Sequence, residues 1–194
     1  MRETLAKLTT NVLNPFLASL VVMVLLAFRD TSTTGEALKW AAISVVLSVL
    51  PVLGAVVYLV RIKKMDGVFI NPRQQRTTVY LLATGLGAIG YVVLRWCGGP
   101  ELLEAAFAAG LASVIVFMFI NLCWKISLHT AFMSGAVAVL IIVYGVVTAW
   151  TVVLLPPVAW ARISLKQHSA VQVAAGAIVS AAIVVGVFWG YGYL

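Results

Sequence analysis

TAFMSGAVAVLIIVYGVVTAWTVVLLPPVAWARI, residues Thr130 to Ile163, carries no charged side chain before Arg162. One comfortable membrane crossing takes about 20 residues. The stretch is therefore too long for one crossing and short for two. It reads as a tight hairpin turning near Tyr144–Thr151, with Pro156 and Pro157 kinking the return leg. Prolines are tolerated there because neighbouring helices and water re-satisfy the freed carbonyls. This hairpin decides the span count: seven crossings if it has two legs, six if it is one broken helix.

Outward from the hairpin, the other apolar runs cover about Val12–Phe28, Leu38–Val60, Thr78–Trp96, Leu102–Leu122 and Ala170–Tyr191. Between the second and third lies the most polar stretch, RIKKMDGVFINPRQQR, from Arg61 to Arg76. Cys97-Gly98-Gly99-Pro100 reads as a turn. The first run has spanning length and no small-residue cleavage site after it, so it reads as a helix that stays rather than a signal peptide. Of the 194 residues, 63% are hydrophobic and 10% charged, and the mean hydropathy is +1.09. Soluble domains carry roughly 25% charged residues. That gap excludes a cytosolic globule, a disordered chain and a nucleic-acid binder, despite a pI near 9.7. Cys97 and Cys123 form no Cys-x-x-Cys pair, which speaks against a disulfide framework or a thiolate zinc site. The expected fold is one domain over residues 1–194, an all-α, polytopic transmembrane helical bundle of six or seven spans.

With seven crossings, the N-terminus and residues 61–77, 123–130 and 164–169 share one face. That face collects Arg2, Lys7, Arg61, Lys63, Lys64, Arg73, Arg76, Lys125, Arg162 and Lys166, ten cations against Arg29, Lys39 and Arg95 opposite. The positive-inside rule makes the ten-charge face cytoplasmic. Removing Arg73, Arg76, Lys125, Arg162 and Lys166 as suspected anion ligands leaves five against three.

The chain has two histidines, His129 and His168. Both fall on that face, each at the start of a helix. Lys125 stands four residues before His129 and Arg162 six before His168. Arg73 and Arg76 join them from the long loop. Arginine forks and lysine ammoniums neutralise phosphoryl oxygens. One neutral imidazole can attack phosphorus while the other protonates the leaving oxygen. Helix N-termini at Thr130 and Ser169 would add N–H groups for an anion. The plainer account is that interfacial histidines are easily solvated and interfacial cations snorkel to headgroups. Two histidines without a nearby carboxylate make a poor zinc or magnesium shell, so no metal and no cofactor is expected. Asp66 reads as loop solvation before Gly67.

At these residues the sequence resembles the type 2 phosphatidic acid phosphatase superfamily, membrane lipid phosphatases related to vanadium haloperoxidases. That family's signature is K-x6-R-P, then P-S-G-H, then S-R-x5-H-x3-D. Arg162 and His168 keep the Arg-x5-His spacing, followed by the small residues Ala174-Ala175-Gly176-Ala177. Lys125-Ile126-Ser127-Leu128-His129 keeps Ser-x-His without the proline and glycine. Asn71-Pro72-Arg73-Gln74-Gln75-Arg76 has arginines but no Lys-x6-Arg-Pro. The resemblance covers about residues 61–180. It implies that His168 is the nucleophile forming a phosphohistidine and His129 the general acid. Arg162 and Ser127 would hold the phosphoryl oxygens, with Arg73 or Arg76 as a third anchor and Lys125 assisting. Gln172 stands where the family has its last aspartate. Its amide oxygen can fix the tautomer of His168 but supplies no negative charge. The family's bacterial members usually place this site outside the cytoplasm, opposite to the charge count here.

The expected function is hydrolysis of a lipid phosphate, phosphatidate-like or a polyprenyl (di)phosphate, in a multi-pass protein of a bacterial or archaeal plasma membrane. Its partners are then the lipid phosphate substrate and membrane lipids, with no nucleic acid. One alternative is a catalytically impaired relative acting as a scaffold or subunit. The other is a small-solute transporter, against which the thin midplane polarity (Ser44, Ser48, Thr84, Ser113) counts. Trp40, Trp96, Trp150, Trp189, Tyr191 and Tyr193 read as interfacial anchors. Gly85, Gly87 and Gly90 read as close helix packing. Ser134 and Gly135 are expected to let the fourth and fifth helices approach.

Overall fold

A computed structural model describes residues 1–68 and 72–194. Asn71 of the basic loop lies outside the described residues. No strand occurs among those described. The helices are α1 (Arg2–Val12), α2 (Pro15–Asp30), α3 (Thr34–Leu47), α4 (Val49–Arg61), α5 (Arg73–Trp96), α6 (Glu101–Cys123), α7 (Leu128–Tyr144), a 3-10 helix over Val146–Leu154, α8 (Leu155–Ser164) and α9 (Ala170–Gly190). Six stretches are long and apolar enough to cross a membrane, and α7 is a shorter apolar helix beside them. The protein is an all-helical, polytopic membrane bundle of six or seven spans.

The chain contacts form two compact units, residues 1–22 with 125–194 and residues 23–124. In the first unit α7 packs along α9, and α1 and α9 both pack on α8. The hairpin turns at Gly145, whose φ of 77° suits a residue without Cβ. The return leg starts as the 3-10 helix and becomes α-helical where Pro156 and Pro157 occupy the first turn of α8. A first turn is where a missing N–H costs least. α1 is a separate helix over residues that the sequence reading left as the N-terminal flank of a span beginning at Val12. The break follows from Asn14, whose Oδ1 accepts the Leu17 N–H at 2.9 Å, with Pro15 opening α2.

In the second unit α5 and α6 form an antiparallel hairpin against which α3 and α4 pack. The second span is interrupted at Ser48, whose hydroxyl donates to the Ser44 carbonyl at 2.6 Å. Pro51 explains the break, since it has no N–H for the Leu47 carbonyl four residues back. The α5–α6 turn uses Gly98 at φ 68°. Asp30 caps α6 from a distance: its Oδ2 accepts the Leu102 N–H at 2.8 Å.

Three sequence expectations change here. Arg73 and Arg76 are in the first turn of α5, not in the loop, because the helix starts directly after Pro72. Trp40 is buried, with the Lys39 ammonium 4.6 Å from its ring centroid, while Trp96, Trp150 and Trp189 are exposed. Gly87 and Gly90 do meet neighbours, Leu111 and Phe107, but Gly85 faces open space.

Candidate functional site

The segment from Arg162 to His168 is a helix stop folded back on itself. Leu165 N–H still bonds the Ala161 carbonyl at 3.0 Å, and Lys166 N–H the Ile163 carbonyl at 2.9 Å. Lys166 then takes the left-handed conformation, φ 54°. This reverses the chain, so Gln167 and His168 both donate their N–H groups to the Arg162 carbonyl, at 3.2 and 3.3 Å. Five intervening residues are what this closure needs. The Arg-x5-His spacing therefore brings the His168 backbone to that of Arg162.

Ser169 begins α9 with a capping box. Its Oγ accepts the Gln172 N–H at 3.3 Å, and Gln172 Oε1 accepts the Ser169 N–H at 3.2 Å. Gln172 Oε1 is also 3.1 Å from His168 Nδ1. An oxygen that accepts from a backbone N–H is the carbonyl end of the amide. His168 Nδ1 then carries the proton, and on a neutral ring the lone pair is on Nε2. Tautomer and ring orientation are both set by a residue that the helix cap holds in place.

The second histidine segment docks on the same end of α9. Ser127 N–H reaches the Gln172 carbonyl at 3.4 Å. Thr130 Oγ1 divides its proton between the Ser127 and Val173 carbonyls, both at 3.1 Å. One turn on, Ser134 Oγ donates to the Ala177 carbonyl at 2.8 Å. Thr130 with Val173 and Ser134 with Ala177 advance together, so α7 and α9 run parallel and begin at one level. Gly176 permits this approach, since a Cβ there would stand 2.7 Å from the Ser127 carbonyl oxygen. The partner of Ser134 and Gly135 is thus the last helix, α9, where Gly135 comes against Ser180, not the fourth helix as expected.

One end of this unit therefore carries two adjacent helix N-termini, the positive ends of parallel dipoles. Arg162 is 1% exposed there, Ser127 0%, His129 5% and His168 6%. Lys125 is half-buried and Lys166 exposed. The unit holds five cationic side chains, Arg2, Lys7, Lys125, Arg162 and Lys166, and a single acidic one, Glu3. Glu3 is at the surface, 2.7 Å from Lys7. The Ser127 hydroxyl is buried with no hydrogen-bond partner among the described residues. A buried guanidinium, a waiting hydroxyl and two dipole ends suit an anion with several oxygens.

Of the residues singled out in the sequence, Lys125, Ser127, His129, Arg162, His168 and Gln172 all belong to this unit. Arg73 and Arg76 belong to the other one. There Arg73 gives its carbonyl to Asn121 Nδ2 at 3.1 Å, and Arg76 is buried one turn before Tyr80. Among the described residues, no three His, Cys, Asp or Glu side chains gather as a metal shell would require. The sequence reading placed a helix N-terminus at Thr130 but missed its hydroxyl bond to α9 and the pairing role of Gly176. Their signal is a small or hydroxylated residue every fourth position on two helices.

No family model, no characterised protein and no solved structure matches this chain. What the site does rests on its own geometry.

Proposed function

We propose that the protein is an integral-membrane phosphatase that hydrolyses a lipid phosphate, phosphatidate-like or a polyprenyl (di)phosphate, in a plasma membrane. The observation that carries this reading is the His168 Nδ1–Gln172 Oε1 contact of 3.1 Å, which puts the lone pair of a neutral ring on Nε2. In the first step the Nε2 lone pair attacks phosphorus and the ester P–O bond breaks. His129, as imidazolium, gives its proton to the leaving oxygen, releasing the lipid alcohol. In the second step water attacks phosphorus and His129 takes its proton. The P–N bond breaks, its electron pair returns to Nε2, and inorganic phosphate departs. Arg162 and the N–H groups opening α7 and α9 hold the non-bridging oxygens, and Ser127 donates to one of them. Lys125 supplies a further cation at the rim. The positive-inside count puts this end toward the cytoplasm.

The test is phosphate release from labelled lipid phosphate by the purified chain in nanodiscs. His168→Ala should abolish release, and acid-quenched wild type should carry label on His168. Normal turnover by His168→Ala would overturn the mechanism. A second reading has its own observation. Gln172 is neutral, and its oxygen is shared between the imidazole and the Ser169 N–H, so the charge that stabilises a phosphorylated ring is missing. On that reading the chain binds lipid phosphate without hydrolysing it. Gln172→Asp separates the two: a gain in turnover supports the enzyme, and binding without release in both forms supports the binding protein.

A further inference from the structure

The stop that ends α4 repeats, bond for bond, the stop that ends α8. Ile62 N–H bonds the Tyr58 carbonyl and Lys63 N–H the Val60 carbonyl, both at 3.0 Å. The N–H groups of Lys64 and Met65 share the Leu59 carbonyl, at 2.9 and 3.3 Å. Lys63 takes the left-handed conformation, φ 58°, as Lys166 does. The next contact recurs too. Asp66 N–H donates to Gln75 Oε1 at 3.1 Å, in the first turn of α5, as Ser169 N–H does to Gln172 in the first turn of α9.

The two closures differ in where they send charge. The α8 stop buries Arg162 and His168. In the α4 stop those two places hold Leu59, half-buried, and Met65, 5% exposed. With Met65 as the inward anchor, Arg61, Lys63 and Lys64 are all left exposed. None of the three enters an ion pair among the described residues. Asp66 is the single carboxylate of this turn, so Arg61 to Asp66 carries a net charge of +2.

This charge sits at a defined level. The stretch Thr34–Arg61 is long and apolar enough to cross a membrane, so its stop is where the chain leaves the apolar layer. Leu50, Gly54, Tyr58 and Ile62, four apart, form one exposed stripe of α4 that runs down to the cations. A Cβ at Gly54 would meet nothing within 4 Å, so the stripe has a notch between Leu50 and Tyr58. Tyr58 is 62% exposed, an amphipathic ring of the kind that sits at headgroup level.

We propose that the α4 stop and its stripe dock one anionic phospholipid, a diester such as phosphatidylglycerol. An acyl chain lies along Leu50, Gly54 and Ile62, and the phosphate meets Arg61, Lys63, Lys64 and the Tyr58 hydroxyl. A positive-inside signal needs only the charges. A docked lipid also needs the fixed turn and the apolar stripe beside them. The inference stands apart from the phosphatase reading, because a diacyl phosphodiester has no monoester phosphate and this turn belongs to the other unit.

The test is native mass spectrometry of the full chain in detergent, titrated with phosphatidylglycerol or with phosphatidylcholine of the same acyl chains. Wild type should bind its first phosphatidylglycerol at least about fivefold more tightly than phosphatidylcholine, the effect of one cation near a membrane surface. Arg61→Gln with Lys64→Gln leaves the left-handed Lys63 untouched and should remove that preference. Arg2→Gln with Lys7→Gln takes the same charge from α1 and should leave the preference in place, as should Ser127→Ala. Gly54→Leu fills the notch without touching charge and should weaken binding of phosphatidylglycerol, which a topology signal alone would not do. Equal affinity of wild type for the two lipids would overturn the proposal. So would equal weakening by the two double variants, which would assign the preference to net charge. If the Arg61 and Lys64 double variant melts early, Lys64→Gln alone carries the same comparison.

Discussion

The α7–α9 pair and the α5–α6 pair solve the same packing problem in opposite senses. α7 and α9 run parallel and are joined by hydroxyl-to-carbonyl bonds from Thr130 and Ser134. α5 and α6 run antiparallel, meet at Gly87 and Gly90, and are closed by the Arg95–Glu104 ion pair. In the parallel pair the helix dipoles add, so one end becomes positive without any side chain. In the antiparallel pair they oppose, and polarity must come from side chains along the seam. The backbone itself therefore favours an anion at one end of the first pair and at neither end of the second.

The difference can be broken most sharply at the glycines. Gly176→Ala sets a Cβ 2.7 Å from a backbone carbonyl, an obstacle that cannot rotate away. We expect a loss of about 1–3 kcal/mol, read as a lower unfolding midpoint in detergent, with weaker anion binding because Ser127 is displaced. Gly90→Ala meets a phenyl ring instead, and its effect should fall on stability alone. Equal loss of anion binding in both variants would remove the distinction.

Smaller effects come from the stitching. Thr130→Val keeps the shape and deletes the two bonds at 3.1 Å. Interhelical side-chain bonds in membranes are worth about 0.6 kcal/mol, with a maximum near 1.7, so the midpoint should drop only slightly. A collapse of the fold would show that the hydroxyl, not the glycine contact, holds the pair.

A change of the same order separates two matched lysines. Lys166 and Lys63 both sit in the left-handed region, at φ 54° and 58°. That conformation costs a side-chain-bearing residue roughly 1 kcal/mol. Glycine at either place should stabilise by up to about that amount. Only Lys166→Gly should also weaken binding of soluble phosphate, since only that turn closes on Arg162 and His168. An equal effect at Lys63 would mean that the cations act through the general field.

Much of this was legible in the sequence, for identifiable reasons. The apolar run from Thr130 to Ile163 forced a hairpin because its length fits no single crossing, and Gly145 supplies the turn. The Arg162–His168 spacing was readable because it is a local closure of one helix stop. Asn14-Pro15 was an equally local signal for a helix start, but the surrounding apolar run hid it. Which helices pair was not readable. Small residues recur on every span, and only the coordinated advance of Thr130 and Ser134 along Val173, Gly176 and Ala177 of α9 selects one partner. The start of α5 was misread because Arg73 and Arg76 look like loop residues, although they suit the first turn of a helix that emerges from the apolar layer.

The hairpin tip has a consequence for the surrounding lipid. α7 has 17 residues, about 25 Å of helix, while its parallel neighbour α9 has 21, about 31 Å. The return leg begins with nine residues of 3-10 helix, which rise about 2.0 Å each instead of 1.5 Å. α7 thus ends short of a hydrocarbon layer of about 30 Å, and Val146, Val147 and Trp150 just past its end are exposed. Acyl chains at this corner must shorten or splay to meet Gly145. The protein should accordingly favour thin bilayers, at a cost of fractions of a kcal/mol for each ångström of excess thickness.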